Sequence, residues 1–364
     1  RCRAALDSGV NLVVELPLFY AVSSAEIFAA GAVATLNALN ASFISFGCEN
    51  ADIQMLKKIA ITLVNEPDEY KKHLKKALTC GDSFPTARAK ALSGFFKSDD
   101  ISRLISSPNN ILAIEYIKEI IKSESAVTPV ALTRKISGYH DSEIHENIAS
   151  ASAIRKILHD SGIHKNNESR CKNIKELQNV MPKAMYNILS SESQNNTLIY
   201  ADDFSSMLNY KISNIFYIAK YNKNACIETL CAYHDINKVL ACRIYSSFTG
   251  CDSFNGFIEK IKTRGFTYSR LSRCLMHIIL DIKKENISQY KSLPYIRILG
   301  FDKKGREYLS QIKKTCPVPI ITKAADYKNL LTDEIHAASL YNQIVYTKSG
   351  IINKDEFRQP LYIK

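Results

Sequence analysis

The chain has 364 residues, 46% of them hydrophobic and 23% charged, with a mean hydropathy of -0.13. That length exceeds one typical domain, and the composition suits packed cores; it excludes a disordered chain and a low-complexity fibre. The formal net charge of +12 is confined to one half: residues 1–160 carry 18 basic and 18 acidic side chains, residues 161–364 carry 30 and 18. A neutral half joined to a basic half points to a catalytic or structural unit beside one that meets a polyanion, with nucleic acid the leading class and a solvated lysine-rich surface the plainer one. No apolar run approaches the ~18 residues of a membrane span, and no secretory signal is present, so the expected compartment is the cytoplasm and no membrane partner is expected. The ten cysteines include no Cys-x-x-Cys pair and no zinc-finger spacing with histidine. They read as reduced thiols, and no metal site is expected.

Taken in chain order, 12–16 is a short β-rich run closed by Pro17, suited to a buried parallel strand. Ser23 and Ser24 cap a small-residue helix over 25–39. A strand over 43–46 closes on Gly47. Helices follow at 53–64, 67–78 and 109–122, then a strand at 127–133 and a helix opening over 150–158. Strands separated by helices of this length predict an α/β, Rossmann-like, doubly wound parallel sheet. The polar, aperiodic stretch 163–175 reads as a linker. Beyond it the pattern is mainly helical: 174–189, kinked or restarted at Pro182, then 205–218, 225–245, 253–262 and 269–281. The tail adds short strands at 295–299 and 318–321 and helices at 304–314 and 332–344. The expected division is an α/β domain over 1–162 and a mainly α-helical, basic domain over 163–364.

Four segments carry candidate chemistry. Gly47 ends a parallel strand, where a bare backbone lets a nucleotide approach; a tight turn would use glycine there too. Asn109 and Asn110 follow Ser107-Pro108 at the start of a helix, where an amide either caps the helix or reads the edge of a base or ribose. Arg134 follows the strand 127–133, and a guanidinium at a strand's carboxyl end suits phosphate. In Ile148-Ala-Ser-Ala-Ser-Ala-Ile-Arg155, two hydroxyls, the free amides of a helix N-terminus and Arg155 converge into an anion site. The alternative there is plain serine capping with a solvated arginine. In the second half, Arg243, Lys260, Lys262, Arg264, Arg270 and Arg273 are interleaved with Phe266 and Tyr268. That mixture suits a partly unstacked RNA loop, although any one of these residues, taken singly, reads more simply as a helix face or core aromatic.

Gly9-Val-Asn-Leu-Val-Val-Glu-Leu-Pro17, Phe28-Ala-Ala-Gly-Ala-Val33, Phe46-Gly-Cys-Glu49, Ser107-Pro-Asn-Asn-Ile-Leu112, Gly138-Tyr-His-Asp141, Ala149-Ser-Ala-Ser-Ala-Ile-Arg155, Thr263-Arg-Gly-Phe-Thr-Tyr-Ser-Arg270 and Ile298-Leu-Gly-Phe301 occur in this order. As a set they resemble the tRNA(Met) cytidine acetate ligase family of HxGH-type nucleotidyltransferases. The segment around Ser150–Arg155 is similar to the second signature of that superfamily, Ile-Ser-x-Thr-x-x-Arg, which holds ATP phosphates.

The resemblance implies a ligase that uses ATP, with Mg2+, to activate acetate as acetyl adenylate. It then acetylates N4 of the wobble cytidine of elongator tRNA(Met), with no obligate protein partner. It implies ATP contacts at Gly47, Asn109 or Asn110, Arg134, Ser152 and Arg155, and places tRNA on the basic half. Two departures are evident. Cys48 stands where the family usually carries serine. The family's amino-terminal strand with its HxGH motif is absent, which implies a truncated nucleotidyltransferase domain; without those imidazoles the charge on the transferring phosphate loses its stabilisation. On that basis the chain is expected to bind ATP poorly and to be inactive, the activity belonging to a full-length parent. Two other readings fit the same features: an adenylyltransferase acting on a small phosphorylated metabolite, and a non-catalytic RNA-binding protein.

Overall fold

The computed structural model describes residues 1–134, 144, 145, 148–163, 174–250, 252–290 and 292–364. Lys135, the Gly138-Tyr-His-Asp141 motif and most of the expected linker at 163–175 lie outside the described residues.

The first half alternates helices and strands. α1 (Cys2–Asp7) leads into β1 (Leu12–Glu15), which Pro17 ends before the short α2 (Leu18–Ala21) and α3 (Ala25–Ala38). α3 is built from alanine and glycine on the face that meets α2. Gly31 lies so close beneath the Tyr20 ring that a Cβ there would stand 2.3 Å from it. β2 (Phe43–Cys48) follows. Asp52 then caps α4 (Ile53–Asn65), accepting from the amides of Gln54 and Met55 at 3.1 Å. α5 (Asp68–Thr79), α6 (Phe84–Phe96) and α7 (Asp100–Ser106) come next; the last two were not legible from periodicity. α8 (Pro108–Lys122) begins with proline at its first position, where the missing N–H costs nothing. β3 (Thr128–Thr133), the paired β4 (Ile144–His145) and β5 (Ile148–Ala149), and α9 (Ala151–Ile163) complete this half.

Beyond 174 the chain is mostly helical: α10 (Lys183–Gln194), started by Pro182, α11 (Ser205–Ile218), α12 (Lys223–Ala232), α13 (Lys238–Ser247), α14 (Phe254–Ile261) and α15 (Tyr268–Ile279). One helix was expected over 225–245. Two form instead, because the chain turns at Asp235 with φ +59° and Asn237 caps a new start through the Leu240 amide. Twenty-two buried residues between Leu208 and Ile279 make the core of this unit. β6 (Ile296–Phe301), α16 (Lys303–Ile312), β7 (Ile320–Ile321), α17 (Thr332–Ser349) and β8 (Tyr362–Ile363) follow.

The fold is α/β with parallel strand pairing, but the strands are shared out differently from a single doubly wound sheet. β2 and β3 pair in parallel, with Phe43 opposite Thr128 and Cys48 opposite Thr133. Among the described residues β1 does not join them; it pairs antiparallel with β6, which also takes β7 and β8 in parallel. A strand from beyond residue 290 therefore lies against the first strand of the chain, and a core of Phe19, Tyr20, Ile282, Leu293, Ile296 and Ile298 closes over the contact. Arg297 fastens the same place: it pairs with Glu15 on β1 at 2.9 Å and with Glu356 in the tail. No helix among the described residues is long and apolar enough to cross a membrane.

Candidate nucleotide site and basic surface

The parallel register of β2 and β3 brings their carboxyl ends level, and two expected residues meet there. The Arg134 amide donates to the Cys48 carbonyl at 2.9 Å. Its side chain lies along Gly47, with Cγ 3.5 Å from where a Cβ would stand. Gly47 is exposed, so its bare backbone and the aliphatic stem of Arg134 together form a flat, open edge. Cys48, next in line, faces inward. Burial and the neighbouring Glu49 push its thiol pKa up, making it a neutral core residue rather than a nucleophile.

Beside that edge the two asparagines have fixed duties. Asn110 is 1% exposed. Its Oδ1 accepts from the amides of Glu49 and Asn50 at 3.0 and 3.1 Å, and its Nδ2 donates to the Leu104 carbonyl at 3.0 Å. Both lone pairs of that oxygen are spent on backbone, so Asn110 shapes the turn after β2 and does not itself point at a ligand. Asn109 donates to Glu49 Oε1 at 2.7 Å, while Glu49 Oε2 accepts from the Asn110 amide at 3.1 Å. The Glu49 carboxylate thus sits on the N-terminus of α8, where the helix dipole favours an anion. Sequence reading offered capping or base recognition for this pair; it missed that the acceptor is Glu49 in the turn after β2, since no local spacing reveals it.

The second group sits at the start of α9. Ser150, 3% exposed, accepts from the Ala153 amide at 2.9 Å and is an N-cap. Arg155 is exposed, and its guanidinium donates to Ser152 Oγ at 3.4 Å. One hydroxyl, one guanidinium and the first-turn amides therefore gather at a single helix end, a set suited to phosphate oxygens. The structure brings Gly47 together with Arg134, and Ser152 together with Arg155. The segment joining these two groups, 135–143, lies outside the described residues.

The six basic positions of the helical unit separate into two kinds. Arg243 donates to the carbonyls of Ile261 (2.9 Å), Lys260 (3.4 Å) and Lys262 (3.5 Å), closing the C-terminus of α14. Arg270 pairs with Asp235 at 2.9 Å and lies over the Phe266 ring, and Arg273 approaches the same carboxylate at 3.8 Å. These three hold the helices together. Lys260, Lys262 and Arg264 are exposed, the two lysines in loose pairs with Asp252 (3.8 Å) and Glu259 (3.4 Å). Such exposed pairs are worth little and can be exchanged for phosphate.

Residues 1–356 match a family described as HIGH Nucleotidyl Transferase, which sets the class of protein: an α/β nucleotidyltransferase. Among similar sequences, a protein of Clostridium novyi (strain NT) called tRNA(Met) cytidine acetate ligase is 35% identical over 368 residues, spanning 100% of this chain and 86% of that one. A protein of the same name from Clostridium perfringens is 36% identical over 376 residues, spanning 100% and 87%. The crystal structure of Thermotoga maritima TmcAL in its apo form superposes with a TM-score of 0.86 at 26% identity; the same protein bound with alpha-thio ATP superposes with 0.84. Each of those two covers 100% of this chain, which covers 86% of theirs. The chain belongs to the tRNA(Met) cytidine acetate ligase family.

Proposed function

We propose that this chain carries out the chemistry its relatives are named for. Acetate attacks the α-phosphorus of ATP, pyrophosphate leaves, and acetyl adenylate forms. The N4 amine of the wobble cytidine in elongator tRNA(Met) then attacks the acetyl carbon, AMP leaves, and the amine gives up a proton. The observation that carries this reading is the match over the whole length of the chain, both to ligases of that name and to a solved structure that holds an ATP analogue.

The residues support it. Adenylation asks a protein mainly for positioning and charge stabilisation. Ser152, Arg155 and the α9 amides are suited to the phosphates, with Mg2+ as the usual companion of ATP. The Gly47–Arg134 edge suits the nucleoside side, and Asn109 and Asn110 act by holding the Glu49–Asn50 turn in place. Lys260, Lys262 and Arg264 are exposed and suited to tRNA phosphates, the two lysines by exchanging their loose pairs. The acetyl-transfer half-reaction can be tested by itself. Supplied with preformed acetyl adenylate and tRNA(Met), the chain should raise N4-acetylcytidine, read by nucleoside mass spectrometry, well above a protein-free blank. A yield equal to the blank from protein that binds the tRNA would refute the proposal.

A further inference from the structure

The inward face of α11 is apolar in the ordinary way, with Leu208, Ile212, Ile215 and Phe216 buried. Its outward face is not ordinary. Tyr210 is 69% exposed, Tyr217 70%, Ile218 69% and Tyr221 66%. Tyr210 and Tyr217 stand seven residues apart, two helical turns, so their rings are about 10 Å apart along one face. Tyr221 follows just past the helix end. Exposed aromatic groupings of this kind mark contact surfaces.

The turn after α11 adds a second observation. Lys220 and Tyr221 take consecutive left-handed conformations, φ +50° and +55°, each costing a non-glycine residue on the order of 1 kcal/mol. The turn is held by the Lys220 amide on the Tyr217 carbonyl (2.9 Å) and the Tyr221 amide on that of Phe216 (2.8 Å). Asn222 then caps α12 through the Ala225 amide at 3.1 Å. The strained pair leaves both Lys220 and Tyr221 exposed to solvent.

Charge completes the picture. From Phe204 to Ile227 there is no acidic residue, while Lys211, Lys220 and Lys223 lie in that span. None of the three forms an ion pair among the described residues. A second copy of this chain would bring these like charges face to face across a symmetric contact. A single-stranded polynucleotide supplies what is missing: phosphates for the lysines and flat bases for the phenol rings.

We propose that Tyr210, Tyr217 and Tyr221, flanked by Lys211, Lys220 and Lys223, form the platform on which the unpaired loop of the tRNA substrate stacks. This rests on the tRNA reading above and gives it a place on α11 that neither the basic cluster nor the nucleotide site supplies. The test measures binding of the full chain to a tRNA(Met) transcript, and to its anticodon stem-loop, across a salt series. Replacing all three tyrosines (Tyr210→Ala, Tyr217→Ala, Tyr221→Ala) should weaken both complexes at least tenfold with little change in melting temperature. The three Tyr→Phe replacements should stay within about threefold, because the rings remain. Lys220→Gln with Lys223→Gln should lower the slope of log K against log salt by about 1.4. If the alanine variant binds as tightly as the unaltered chain, the platform is wrong while the tRNA reading stands. If the unaltered chain has no tRNA affinity, both fall. Equal losses from Phe and Ala overturn stacking, and conversion of a dimer to a monomer at unchanged RNA affinity assigns the face to a contact between copies instead.

Discussion

At the scale of single residues, position in the chain is a poor guide to duty. Asn110 and Arg155 both belong to segments that resemble an ATP site, yet Asn110 is buried under two backbone donors and Arg155 is exposed beside one hydroxyl. Their replacements should separate. Asn110→Ala takes away the acceptor of the part-buried bonds from the Glu49 and Asn50 amides and the buried donor to the Leu104 carbonyl, a loss of about 1–3 kcal/mol, and should lower the melting temperature whether or not nucleotide is present. Arg155→Ala removes no buried bond. It should leave melting of the free chain unchanged and weaken MgATP by about 10- to 100-fold, the worth of one charge-assisted contact. Isothermal titration with MgATP and a thermal scan measure both. Undiminished nucleotide affinity in the Arg155 variant would remove the phosphate role assigned to α9.

At the scale of elements, α15 is joined to the first half of the chain by a buried imidazole. His277 is fully buried, with Nδ1 3.0 Å from the His234 carbonyl and Nε2 2.9 Å from the Val22 carbonyl. Burial lowers its pKa against the pull of those carbonyls. His234, whose ring centroid is 5.0 Å from that of His277, is pushed down to about 4 by burial and by that neighbour. Asp235 raises both and Arg273 lowers both; Lys284 also lowers His234. The folded protein therefore resists protonation that the unfolded chain accepts near the ordinary value of 6.5. Stability should be level above that pH and fall as pH drops from about 6.5 towards 4. A melting temperature lower at pH 5 than at pH 7, with a smaller drop in His234→Asn, is the expected result. An unchanged drop in that variant would assign the effect elsewhere.

At the scale of the whole molecule, residues 282 positions apart are tied by one guanidinium. Arg297, 7% exposed, bridges Glu15 and Glu356 and so holds β1, β6 and the tail together. Arg297→Ala would leave two half-buried carboxylates without their cation, a loss of about 3–5 kcal/mol. The urea midpoint should fall accordingly, and the tail beyond α17 should become open to proteolysis. A change below about 1 kcal/mol would mean that the apolar core around Phe19 and Ile296 carries the junction alone.

Local chemistry in the sequence determined most of the elements. Apolar periodicity placed α4, α8 and α11 within a residue and α15 within two. The order of short motifs pointed to the family, because each motif needs its own turn, cap or charge whatever surrounds it. Hydrophobic pattern alone could not decide that β1 would pair with β6, that the 225–245 helix would break at Asp235, or that Arg243, Arg270 and Arg273 would bind carbonyls and Asp235 rather than stand free. Those outcomes depend on partners far away in the chain, and a buried charge or an unpaired strand edge takes whichever complementary group the tertiary fold brings within a few ångströms.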